Sequence, residues 1–203
     1  MKNNDQLVIG IAAISQDGMI ADGEGKEKSP WEDRKNFAKI TMKLSSKVIM
    51  GSKTAELIPS KFFPLMYRHN IVLSRGDGER EIIQDPEFPK LTYMLSCDPE
   101  EVLSYGKPDD INFIIGGSQI YELFLPYYTH MILTHLPINI GKDGVPFLSS
   151  KRPIWDMLQL KPISLIPDVV ETKMMPIKPT EDVPYHELLV QAYEVVKYPW
   201  LDS

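Results

Sequence analysis

Ile111-Asn112-Phe113-Ile114-Ile115-Gly116-Gly117-Ser118-Gln119-Ile120-Tyr121-Glu122-Leu123-Phe124-Leu125-Pro126 is the stretch that decides how this chain is read. A run of apolar, partly β-branched residues stops at a glycine pair and gives way to a helix-compatible segment that Pro126 closes, which predicts buried strand, tight turn, helix. Adjacent glycines let a ligand approach the backbone closely, and the free N–H groups of a helix start attract anions. The pattern therefore fits a phosphate cradle. The glycine pair alone fits an ordinary tight turn equally well, so the flanking sequence has to decide.

Upstream, Leu7-Val8-Ile9-Gly10-Ile11-Ala12-Ala13-Ile14 is a continuous apolar run of the kind found in strands covered on both faces of a largely parallel sheet. Lys47-Val48-Ile49-Met50-Gly51 repeats it, and Ser52-Lys53-Thr54-Ala55-Glu56-Leu57-Ile58 repeats the turn-to-helix plan with a lysine and two hydroxyls in the turn, a second phosphate contact. Asn70-Ile71-Val72-Leu73-Ser74-Arg75 is a third core strand, with Arg68 before it and Arg75 at its end, and His130-Met131-Ile132-Leu133-Thr134-His135-Leu136 is another. Leu91-Leu95 is a weaker strand. Asp98-Pro99-Glu100-Glu101 reads as an N-cap, a first-position proline and early acids, a helix start. Beyond Trp155, strand-like pieces at Leu158-Leu160, Ile163-Ile166, Val169-Lys173 and Gln191-Lys197 predict an antiparallel finish, and the prolines between Pro153 and Pro184 predict a long irregular excursion.

Between the first two strands, Met19-Ile20-Ala21 leads into a charged, glycine-bearing loop over 22–30, a surface connection or a lid, ending at Pro30-Trp31. A helix follows from Glu32, with Phe37, Ile40, Thr41 and Leu44 at helical spacing. Asp33, four residues before Phe37, shares its side of that helix, where a carboxylate needs a partner or shifts its protonation equilibrium. Glu32 and Asp33 also suit a helix start for purely dipolar reasons.

Bulk properties set the limits. The 203 residues suffice for one substantial core, and the composition, 43% hydrophobic and 25% charged, is that of a soluble globular protein. A net charge of −6 argues against nucleic acid and acidic membrane as partners. The lone Cys97 excludes an intramolecular disulfide, and with no signal-type opening a cytoplasmic location is expected. The four histidines show no metal-ligand spacing, so no metal is expected. No Rossmann fingerprint or Walker lysine follows the first strand.

In order and spacing these segments resemble the dihydrofolate reductase family: Ile11-Ala12-Ala13, Pro30-Trp31, an acid opening the first helix, Val48-Ile49-Met50-Gly51-Ser52-Lys53-Thr54, Arg68-His69-Asn70-Ile71-Val72-Leu73-Ser74-Arg75, Ile115-Gly116-Gly117-Ser118-Gln119-Ile120-Tyr121 and Leu133-Thr134-His135. The match fades after about residue 155, apart from Tyr193-Glu194-Val195-Val196. The resemblance implies an α/β fold in one domain over residues 1–203, with a mostly parallel central sheet, helices on both faces and an antiparallel C-terminal finish. It implies NADPH-dependent reduction of 7,8-dihydrofolate to tetrahydrofolate, with a pterin or folate substrate and self-association into a homodimer left open.

Carried over residue by residue, it implies catalytic roles for Asp33, Thr134 and Trp31. Substrate contacts fall to Ile11, Ala13, Phe37, Arg68, Ile115 and Tyr121. Cofactor contacts fall to Ala13, Ile20, Gly51, Ser52, Lys53, Thr54, Leu73, Ser74, Arg75, Ile115, Gly116, Gly117, Ser118, Gln119, Ile120 and Tyr121. In the family the Gly-Gly peptide is cis. Three departures stand out. The connection from Trp31 to the acid is short, which leaves Glu32 as the alternative to Asp33. Ser52 replaces a common arginine, leaving the phosphate to Lys53 and Arg75. Finally, Ser15-x-Asp17-Gly18-x-Ile20-Ala21 looks like the opening of the riboflavin-pathway pyrimidine reductases. A reductase of that kind, or a non-catalytic nucleotide-binding protein on the same fold, is the alternative reading.

Overall fold

Apolar residues run without interruption through the core strands, so both faces of the sheet they form must be covered, and alternation sends odd and even positions to opposite sides. The computed structural model describes residues 6–42, 46–74, 81–88, 90–95, 98–107 and 110–197. In chain order its elements are β1 (Val8–Ser15), β2 (Met19–Ala21), α1 (Trp31–Thr41), β3 (Ser46–Gly51), α2 (Ser52–Leu57), β4 (His69–Ser74), β5 (Glu81–Gln84), β6 (Leu91–Leu95), α3 (Pro99–Ser104), β7 (Ile111–Gly116), α4 (Ser118–Leu123) and β8 (His130–Leu136). There follow β9 (Val145–Pro146), α5 (Ile154–Met157), β10 (Gln159–Ile163), β11 (Leu165–Ile166), β12 (Val170–Glu171), β13 (Lys173–Pro176) and β14 (Glu187–Lys197).

The main sheet runs β10-β14-β8-β1-β7-β3-β4-β6-β5, with β13 also paired to β14. From β8 to β6 all neighbours are parallel, whereas β5, β10, β13 and β14 join antiparallel. This is the α/β architecture with an antiparallel finish that the sequence implies. Parity divides the core in two. Ile9 and Ile11, Val48 and Met50, Phe113, and Ile132 and Leu136 face α1, while Val8 and Ile14, Ile49, Ile114, Met131 and Leu133 face α3, α4 and α5.

Several local expectations need correction. Helix α4 ends at Leu123, not at Pro126, which sits in a separate 3-10 turn over Leu125–Tyr127. Proline lacks the N–H that would bond to Glu122, so the α-helical ladder stops before it. Helix α1 begins one residue earlier than expected, at Trp31. The segment after Pro153 is less irregular than its prolines suggest, because it holds α5 and β10–β13, and the single strand expected over Val169-Lys173 is divided between β12 and β13. Strand β5 was not expected; its Ile82 and Ile83 are both exposed, so no alternation announces it. Leu44, Arg75 and Cys97 lie outside the described residues.

The C-terminal excursion belongs to the α1 face: Met175, Ile177 and Val183 are buried in the same cluster as Ile40. It also reaches the helix and the loop before it, since Lys173 Nζ donates to Asn36 Oδ1 at 3.1 Å and Lys28 bridges Asp22 and Asp182, each at 3.2 Å. Truncating a buried isoleucine costs about 2–5 kcal/mol. Ile177→Ala is therefore expected to lower stability to urea by at least ~2 kcal/mol, and a loss below about 0.5 kcal/mol, the usual size of a surface substitution, would show the excursion to be peripheral.

Candidate active site

On the α1 face, the parity that buries Ile132 and Leu136 also turns Thr134 toward the helix. Its Oγ1 donates to Asp33 Oδ1 at 2.6 Å, across 101 residues of chain. Asp33 lies in the first turn of α1, and its backbone N–H is taken by Pro30 O at 3.1 Å. The side chain is buried, at 8% exposure. Burial pushes its carboxyl up from 3.8 to about 6; the Thr134 hydrogen bond opposes this, the nearby Glu27 adds to it, and Arg34 offsets part. Glu32, the alternative acid, is only half-buried. Around Asp33, parity places Ile11 and Ala13 of β1, Ile115 of β7 and Phe37 of α1 on the same face.

The far end of α1 meets Arg68. Its Nη1 donates to Thr41 Oγ1 at 2.7 Å and its Nε to Met66 O at 3.0 Å, while the guanidinium carbon stands 5.9 Å from the Phe37 ring centroid. Arg68 is only 5% exposed, and burial lowers it from 12.5 to about 10. Among the described residues no carboxylate pairs with it. A buried, unneutralised guanidinium with spare N–H groups favours a bidentate anion. Asp33 and Thr41 are eight residues apart, roughly 12 Å along the helix, so α1 carries a buried acid in its first turn and meets a buried cation at its last residue. Thr41 was not recognised beforehand as the partner of Arg68, although its place on the stripe of Asp33 and Phe37 was readable.

The second half of the site is at the C-terminal ends of β3 and β7, where open α/β sheets bind ligands. Gly51 and Gly117 are the N-caps of α2 and α4, and neither helix has a side-chain cap, so their first N–H groups face outward. The two turns are adjacent, since a Cβ on Gly117 would lie 3.4 Å from Thr54 Oγ1. The Gly116–Gly117 peptide is cis, and Gly116 has φ +108°, a conformation that favours glycine. A Cβ there would also lie 2.9 Å from the Tyr121 ring. Lys53 and Gln119 are exposed, Ser52, Thr54, Ser74, Ile20 and Ser118 half-buried, and Leu73 and Ile120 buried.

Tyr121 lies beneath the turn, on the sheet face opposite Phe37. Its OH donates to Ile11 O at 2.8 Å and its ring stacks on Phe147 at 4.3 Å. Ser118 Oγ donates to Pro146 O. Neither Phe147 nor Pro146 was singled out from the sequence. Trp31 is 54% exposed at the head of α1, under the Lys35 ammonium at 5.5 Å, so the structure does not bring it into the Asp33–Thr134 pair. Arg75 lies outside the described residues. The Ser15-x-Asp17-Gly18 motif has a structural use here: Asp17 accepts from Ser15 Oγ at 2.6 Å and from the backbone N–H groups of Ile140 and Gly141 at 3.1 and 2.7 Å.

Residues 7–159 match the sequence profile of the family described as dihydrofolate reductase. The dihydrofolate reductase of Mycobacterium tuberculosis is 32% identical over 118 residues, covering 57% of this chain and 64% of that enzyme. That of Ureaplasma parvum is 36% identical over 112 residues, 54% of this chain and 64% of its own. That of Saccharomyces cerevisiae is 28% identical over 164 residues, 71% and 74%. The chain thus spans 64%, just under two thirds, of the length of the first two.

Because the folded state holds a proton on Asp33 up to about pH 6 and an unfolded aspartate releases it near 3.8, the carboxyl favours folding in acid. That advantage is lost as pH rises from about 4 through 6. Two pH units correspond to ~3 kcal/mol. Asp33→Asn, which can still accept from Thr134, is expected to raise stability to urea at pH 7 by up to about 3 kcal/mol and to change it little at pH 4. A variant less stable than the native chain at pH 7 would contradict the assigned environment.

Proposed function

Because the chain belongs to the dihydrofolate reductase family, we propose that it reduces 7,8-dihydrofolate to 5,6,7,8-tetrahydrofolate with NADPH. The observation that carries this reading is the pair of buried groups at the two ends of α1, the Thr134-bonded carboxyl of Asp33 and the Arg68 guanidinium, which no carboxylate neutralises among the described residues. That spacing suits an elongated substrate with a hydrogen-bonding heterocycle at one terminus and a carboxylate at the other. Asp33 holds the amidine-like edge of the pterin, and Thr134 fixes the carboxyl in place. Phe37, Ile11, Ala13 and Ile115 enclose the rings, and Arg68, steadied by Thr41, takes the terminal carboxylate in bidentate fashion.

The residues at the sheet's C-terminal edge fit a dinucleotide. Two adjacent uncapped helix starts supply N–H groups for a pyrophosphate, and the missing Cβ atoms let Ile120, Tyr121 and Thr54 pack closely under the two turns. Gly116, Gly117, Ser118 and Gln119 hold that group. Tyr121, Ile20 and Ile120 support the nicotinamide end. Lys53, Thr54 and Ser74, with Arg75 as the family resemblance implies, take the adenosine 2′-phosphate, which favours NADPH over NADH, and Gly51, Ser52 and Leu73 belong to the same cofactor-binding strand ends. The nicotinamide, when bound, supplies a hydride to the electron-poor carbon of the C=N bond. A proton reaches the adjacent nitrogen, and Asp33, titrating near neutrality, governs that proton's availability. The 22–30 loop, which ends at Pro30 bonded to the Asp33 N–H, is the segment that keeps water from the acid.

Loss of NADPH absorbance on addition of dihydrofolate is the direct assay. Asp33→Asn is expected to lower kcat/KM by roughly 10²–10⁴. Arg68→Lys is expected to raise the KM for dihydrofolate about tenfold while sparing kcat, because a lysine cannot form the bidentate pair. Consumption of NADPH only with a phosphoribosylaminouracil substrate would assign the chain to the riboflavin-type chemistry instead.

A further inference from the structure

On the sheet face opposite α1, the β1–β2 turn, the 142–147 segment and the 151–155 segment line a partly open cavity of about 240 Å³. This is space for a small polar ligand, below the range of drug-sized pockets, and its open mouth lets part of that ligand stay in solvent. Three cations line it, Lys142, Lys151 and Arg152, against a single acid, Asp17. That imbalance stands out on a chain of net charge −6.

The acids that shape the cavity are occupied by the backbone. Both Asp17 oxygens accept N–H groups, from Ile140 and Gly141, which anchors the strand of chain leading to Lys142. Glu122 accepts from Ser149 Oγ and from the Ser150 N–H at 3.0 Å, which anchors the segment leading to Lys151 and Arg152. The cations themselves have no carboxylate within ion-pairing distance among the described residues. Lys151 adopts φ +60°, a left-handed conformation that costs a non-glycine residue on the order of 1 kcal/mol. Holding a lysine there is an observed outlier that calls for a use.

The cavity also has an aromatic wall. Trp155 lines it and is 49% exposed, and its indole lies nearly parallel to the His135 ring at 6.3 Å; His135 Nε2 is in turn hydrogen-bonded to Tyr193 OH at 2.9 Å. A backed, half-exposed indole beside three unpaired cations is a surface for a planar anion.

We propose that this cavity binds a small aromatic phosphate of the size of a pyrimidine mononucleotide, its ring against Trp155 and its phosphate between Lys142, Lys151 and Arg152. The site is separate from Asp33 and Arg68, neither of which lines it. It adjoins the back of the glycine turn, because Pro146 and Phe147, which form its inner wall, contact Ser118 and Tyr121.

The test is tryptophan fluorescence of the full chain titrated with 5′-UMP. A saturable quench is expected, absent in Trp155→Leu and weakened at least about tenfold in the Lys151→Gly/Arg152→Ala double variant, in which glycine retains the left-handed backbone. Uridine and inorganic phosphate should each bind about tenfold more weakly than 5′-UMP, since each lacks one of the two contacts. Lys53→Ala, at the separate phosphate-competent turn, should leave the titration unchanged. Absence of saturation, an unaltered titration in the double variant, phosphate binding as well as 5′-UMP, or loss of the quench in Lys53→Ala would each overturn the proposal. Far-UV circular dichroism identical to that of the native chain establishes that the variants are folded.

Discussion

The hydrogen bond from Thr134 to Asp33 is the interaction around which the site is arranged. It joins the head of a helix to a core strand, on a sheet face lined by apolar residues such as Ile11, Ala13 and Ile115. A lone carboxylate there would be costly, and one hydroxyl does not replace the water it has lost, so the protonated form gains. The result is a carboxyl that titrates near neutrality and is aimed by a fixed donor. The same burial that disfavours the charge makes the group useful, a tension between stability and function seen at many catalytic positions.

Helix α1 gives this acid its counterpart. Because the helix crosses the sheet, its first turn lies by the C-terminal strand ends and its last residue, Thr41, lies beside Arg68 at the start of β4. A negative-capable group and a permanent cation are thereby held at opposite ends of one rigid element, with Phe37 between them. The glycine-turn half obeys a separate rule. Two βα turns end in glycines, and uncapped helix starts face the same edge of the sheet. Strands β1, β3 and β7 of the one sheet carry both halves. The C-terminal excursion, which lies beyond the residues that match the family profile, packs on the α1 side and ties down the loop before it.

Much of this was legible in the chain. Strands with uninterrupted apolar residues announced the parallel core, and the spacing of Asp33 to Phe37 put the acid on the buried stripe of α1. Asp98-Pro99 announced α3, where Asp98 accepts from the Glu100 N–H at 3.0 Å. What was not legible depends on distant packing. Strand β5 has exposed isoleucines and exists because β6 offers an edge. The Arg68–Thr41 contact spans 27 residues and follows from how far α1 extends. The position of Tyr121 under the glycine turn depends on Phe147, a residue with no local motif. The prolines of the C-terminal segment suggested irregularity, yet Pro162 and Pro176 both lie within strands of the antiparallel finish, where β10 and β13 pair with β14.

The central claim is that Asp33 is held in a desolvated site by Thr134 and keeps its proton far above the usual range. Direct titration of the Asp33 side-chain carbon by nuclear magnetic resonance, in the ligand-free chain, measures this without reference to turnover. The account predicts a midpoint close to 6, moving higher in Thr134→Val because the hydrogen bond that favours the charged form is gone. A midpoint near the ordinary value of 3.8, unmoved by that substitution, would contradict it.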